Sequence, residues 1–95
     1  MKLIHMVMYR YREGLREDDF RKLTKEFIQV GTPPGVIAHY ERVDGKGGFL
    51  LLQEVPEHPE ALKENLLRYG PWIDFAVLPV TTMADAFPLI QRVYG

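Results

Sequence analysis

The order of apolar patterns predicts an α+β domain of ferredoxin-like type, β-α-β-β-α-β, followed by a short C-terminal helix. Three observations lead there. Four strand-like segments and two helical stripes occur in that order within 95 residues. A Gly-rich turn joins the two middle strands, as an antiparallel hairpin requires. The last strand carries Pro79, which lacks an N–H and suits a sheet edge, and the fourth strand is an edge in the order 4-1-3-2. Both helices then lie on one face. The other face is bare, several of its candidate residues are apolar, and a second copy of the chain is the simplest cover.

Strand one is expected over Lys2–Tyr9. Ile4, Met6 and Met8 point one way and are assigned to the helix-packed core. Leu3, His5, Val7 and Tyr9 point the other way and are assigned to the open face. The first helix follows a polar connection turning at Gly14. Asp18 and Asp19 favour its N-terminus. Phe20, Leu23, Thr24, Phe27 and Ile28 form one stripe, Asp18 and Lys22 pair on the solvent side, and Gly31 with Pro33-Pro34 ends it.

Strand two is expected over Val36–Val43, a turn at Gly45-Lys46-Gly47-Gly48, and strand three over Phe49–Val55. Pro59 opens a second helix whose stripe is Ala61, Leu62, Asn65, Leu66 and Tyr69, with Gly70-Pro71 as its stop. Trp72–Val80 is strand four. Thr82 with Asp85 is an N-cap pattern for a helix over Met83–Val93.

Composition bounds the function. Residues 1–95 form one domain, 46% apolar and 26% charged, with net charge −1. That balance gives no footprint for nucleic acid or an acidic membrane surface. No segment reaches the roughly 20 apolar residues of a membrane span. Met1–Met6 reads as a native start rather than a signal peptide, so the expected location is cytoplasmic. The chain has no cysteine and no serine, which excludes thiolate chemistry and a Ser-His-Asp triad.

Phe49-Leu-Leu-Leu-Gln-Glu-Val55, Pro59-Glu-Ala-Leu62 and Ile73-Asp-Phe-Ala-Val-Leu-Pro-Val80 resemble segments of a family of short bacterial proteins of unknown function. That family belongs to the dimeric α/β-barrel superfamily, and the likeness covers most of the chain. It implies a homodimer in which two sheets pack face to face and enclose a pocket in each subunit. More distantly the chain is similar to the antibiotic-biosynthesis monooxygenase branch, which has a histidine on the second helix where this chain has Asn65.

His5 and Glu54 are the candidate catalytic residues. A histidine facing a pocket titrates near neutrality and suits a general base; a neutral core histidine is the alternative. Glu54 ends strand three, where desolvation would raise its pKa; a salt bridge with Arg42 or a lysine competes with that role. His39, Trp72, Asp74 and Tyr9 are the candidate ligand-binding residues. His39 shares a face with Ile37 and Glu41, and Tyr40 takes its place if the facing is inverted. Trp72 suits stacking on a planar ligand or packing at the interface, Asp74 orienting a ligand, and Tyr9 the pocket rim.

Three histidines on separate elements lack metal-ligand spacing, and the glycines join two strands rather than follow strand one. No metal, cofactor or nucleotide is expected. The expected function is a cofactor-independent oxygenase, isomerase or cyclase acting on a small apolar or aromatic molecule. A non-enzymatic ligand-binding or stress-related dimer and a purely structural interaction module remain the alternatives.

Overall fold

The structure is a computed structural model that describes residues 3–95. Met1 and Lys2, including the expected first residue of strand one, lie outside the described residues. The elements are β1 (Ile4–Tyr11), α1 (Glu17–Val30), β2 (Val36–Glu41), β3 (Gly47–Gln53), α2 (Ala61–Tyr69), β4 (Ile73–Val80) and α3 (Met83–Tyr94). The sheet runs β2-β3-β1-β4 with every neighbour antiparallel. This is the ferredoxin-like order, with β4 and its Pro79 at an edge. β1-α1-β2 and β3-α2-β4 each join parallel strands, and right-handed crossovers put both helices on one face.

Local chemistry explains the helix ends. The Arg16 N–H donates to the Asp19 carboxylate at 2.9 Å, and Glu17, Asp18 and Asp19 place negative charge at the positive end of α1. Gly31 has φ 76°, and its N–H donates to the Phe27 carbonyl at 2.8 Å. The left-handed conformation favours glycine there. The expected Lys22–Asp18 pair forms at 3.7 Å. In α3 the Asp85 N–H donates to Thr82 Oγ1 at 3.1 Å, the cap read from the sequence.

The facing of β1 is the reverse of the expected one. Val7 is fully buried and packs with Leu50 and Leu52 beneath Leu62 and Leu66 of α2. His5, Val7 and Tyr9 therefore lie under the helices, and Ile4, Met6 and Met8 lie on the uncovered face. Both sets are largely apolar, so alternation defined the two faces without saying which one the helices cover.

Strand three also moves. It starts at Gly47 and ends at Gln53, so Glu54 follows the strand and is exposed. Gly47 and Gly48 are buried strand residues rather than turn residues. Gly48 pairs with Tyr9 on one side and Glu41 on the other. A Cβ at Gly48 would lie 2.7 Å from the Tyr9 hydroxyl. The missing side chain lets the Tyr9 phenol cross β3 to reach β2.

Two apolar surfaces have no cover among the described residues. The open sheet face presents Ile4, Met6, Met8, Phe49, Leu51 and Leu78, the last 49% exposed. Helix α3 buries no residue. Met83, Phe87, Leu89, Ile90, Val93 and Tyr94 all lie on one arc of it and are exposed. The radius of gyration is 15.9 Å, against about 12 Å for a compact domain of this length.

Candidate functional site

α1 sits loosely on the sheet. Of its apolar stripe only Leu23 is buried; Phe20 and Phe27 are partly exposed and Ile28 points outward. Beneath it is a cavity of about 320 Å³. Phe20, Leu23, Thr24 and Phe27 roof it, Tyr9, Tyr11, His39, Glu41 and Leu50 line its floor, and Asn65, Tyr69, Ile73 and Phe75 close the side. Arg68 of α2 and Glu26 of α1 approach to 3.5 Å and tie the two helices together.

Four polar side chains form one hydrogen-bonded chain along the floor. The Tyr9 hydroxyl donates to Glu41 Oε1 at 2.8 Å, and the Tyr11 hydroxyl donates to Glu41 Oε2 at 2.7 Å. Tyr9 Oη also lies 2.8 Å from His39 Nε2. With its single proton committed to Glu41, Tyr9 accepts from the Nε2–H of His39. The order is His39 to Tyr9 to Glu41, with Tyr11 donating from the other side.

The electrostatics keep the phenols protonated. Burial raises the pKa of both Tyr9 and Tyr11 well above the ordinary tyrosine range, and the bond to Glu41 and its negative charge raise them further. Ionising either one would also place a second negative charge beside the carboxylate. Tyr69 is shifted in the same direction, chiefly by burial. Its hydroxyl is buried without a hydrogen-bond partner among the described residues.

Rings frame the site. Phe20, Tyr11, Tyr9, His39 and Phe27 follow one another edge to face. Their centroids are 5.5, 6.0, 5.6 and 6.2 Å apart in succession. Phe20 and Phe27 are both on α1, so the succession begins and ends on the same helix.

Of the residues singled out in the sequence, Tyr9 and His39 line this cavity. His5 does not. It lies further along β1 opposite Leu52 and Pro79, with Nδ1 buried and without a partner among the described residues. Glu54 is exposed beyond β3. Asp74 is exposed and pairs with Arg12 at 3.4 Å, and Arg12 Nε also donates to the Gly70 carbonyl at 3.0 Å. Trp72 packs beside Leu23, Tyr69 and Ile73.

Sequence reasoning missed Glu41 and Tyr11 as site residues. The available signal was the alternation His39-x-Glu41 beside Tyr9-x-Tyr11, with a glycine pair between them in the sheet. Among the described residues no three His, Asp or Glu side chains gather as metal ligands, and no helix is long and apolar enough to cross a membrane.

The architecture defines a small ferredoxin-like α+β protein with a ring-lined cavity between its helices and sheet. The chain belongs to a family described as a domain of unknown function, DUF3303, whose model matches residues 3–94. No curated protein and no solved structure matches it.

Proposed function

We propose that the protein is a homodimer that binds a small apolar or aromatic molecule between α1 and the sheet and acts on it without a cofactor. The observation that carries this reading is the His39–Tyr9–Glu41 chain on the floor of a largely apolar cavity. Pockets of this make-up, apolar walls with a few convergent polar groups, are the usual form of a small-molecule site. The chain can pass a proton between His39 and Glu41 through Tyr9, which is what isomerisation, cyclisation or enolate formation ahead of oxygenation needs. The candidate proton-transfer residues are thus His39, Tyr9 and Glu41, in place of His5 and Glu54.

A second reading has its own support. Both Glu41 oxygens already accept a phenol proton, which occupies the carboxylate with hydrogen bonds rather than freeing it as a base. That favours a binding protein using the same cavity. The dimer rests on the bare sheet face and on the unpartnered apolar arc of α3. Two uncovered apolar surfaces on one small chain are most simply satisfied by a second copy. The reading keeps the expected cytoplasmic location.

Native mass spectrometry of the purified protein, followed by release and identification of small molecules, tests both parts. A dimer carrying one organic molecule per chain is expected. Once a substrate is identified, Tyr9→Phe should lower turnover by about 100-fold if the chain of bonds is catalytic. Unaltered ligand and unchanged rate would leave the binding reading. A monomer that binds nothing would remove both.

A further inference from the structure

We propose that the cavity receives the positively charged head of an organic amine that carries an apolar or aromatic body. This rests on reading the cavity as a ligand site and adds the charge of the ligand. The first observation is the succession of rings. Each ring in the series Phe20, Tyr11, Tyr9, His39, Phe27 stands at 71–73° to the next. All five rings belong to the cavity lining, and the phenyl and phenol rings among them carry electron-rich π faces. Such faces attract ammonium groups.

The second observation is the charge of the lining. Glu41 is the one Asp, Glu, Lys or Arg side chain among the described residues that border the cavity. Each of its oxygens accepts one phenol proton and retains a lone pair for a further donor. Because Tyr9 and Tyr11 stay protonated, they orient the carboxylate without adding charge. A carboxylate or phosphate ligand would find no cationic lysine or arginine there and would meet Glu41 instead. An uncharged ligand would use the rings and bring no countercharge to Glu41. A cation uses both. The volume of about 320 Å³ suits a ligand of roughly ten to fifteen heavy atoms.

The test is a charge series on one ring, titrated into the full-length protein by calorimetry at neutral pH. Its members are phenyltrimethylammonium, benzyl alcohol and benzoate. The ammonium is expected to bind about tenfold more tightly than the alcohol, with benzoate weakest. Glu41→Gln removes the charge while keeping the shape of the side chain and one acceptor oxygen, and should bring the ammonium's affinity down to that of the alcohol. Phe27→Leu opens the ring succession and should weaken the ammonium selectively. Benzoate or the alcohol binding as tightly as the ammonium would overturn the charge assignment and leave the cavity a binding site. A preference unchanged in Glu41→Gln would overturn the role given to that carboxylate. No binding by any of the three would overturn the assignment together with the reading of the cavity beneath it.

Discussion

The two faces of the sheet have similar apolar content and opposite fates. On the helix side, Val7, Leu50 and Leu52 are buried under α2, while Tyr9, His39 and Glu41 line the cavity under α1. On the other side, Met6, Met8, Phe49 and Leu51 form a surface that no element among the described residues covers. Apolar content alone therefore does not identify the core of a small sheet. The crossover connections do, because both must be right-handed and so deliver both helices to one side. The contrast within the helix side is equally instructive. α2 packs closely and makes the core, whereas α1 packs loosely and leaves room for a ligand.

The strongest way to break this comparison is to truncate one residue on each face. Leu52 is 2% exposed, and Leu52→Ala should cost about 2–5 kcal/mol in urea unfolding. Leu78→Ala on the open face should cost under about 1 kcal/mol when measured on dilute protein. Equal losses would mean that the faces do not differ as described. The site under α1 is sharpened by Tyr9→Phe, which deletes the shared hydroxyl. A loss of about 1–2 kcal/mol is expected, and a double-mutant cycle with Glu41→Gln should show coupling rather than additivity.

The raised tyrosine pKa values make a prediction with a definite sign. A folded-state pKa above the unfolded value of 10.0 means that the unfolded chain loses the proton first. The associated stability is complete below pH 10 and declines as pH rises beyond it. Unfolding midpoints should be level with respect to these groups from pH 7 to 9 and fall above 10, less steeply in Tyr11→Phe. A midpoint that stays constant through this alkaline range would contradict the burial of the two phenols and their bonds to Glu41. The smallest effect on folding, within about 0.5 kcal/mol, is expected for Met8→Lys on the open face. If the proposed dimer forms through this face, that variant should nevertheless sediment as a monomer, and an unaltered dimer would exclude this face as the interface.

Much of the fold was legible because each element carries its own local signal. The acidic first turn of α1, Gly31 beyond its end, Thr82 with Asp85 before α3, and Pro79 on an edge strand each act over a few residues. Other features needed more. Gly47 and Gly48 read as turn residues because glycine permits turns, yet they serve a close approach by β1 that is distant in sequence. Glu54 read as a strand terminus with a pocket role, yet the strand begins and ends earlier and leaves it in solvent. Tyr9 and His39 were recognisable as polar groups on the two strands that flank β3. Glu41 was not, since an exposed glutamate near a hairpin looks like any surface charge until the register sets it beside Gly48 and Tyr9.

Residue order was enough for the kinds of elements, their sequence along the chain, and the sheet order that follows from their connections. These depend on periodicity, capping and handedness, which are local or nearly universal. The facing of β1, the looseness of α1 and the meeting of His39, Tyr9, Tyr11 and Glu41 required the packed molecule. Each depends on which side chains approach across 30 or so positions of sequence, and alternation with a period of two is blind to the choice between one face and the other.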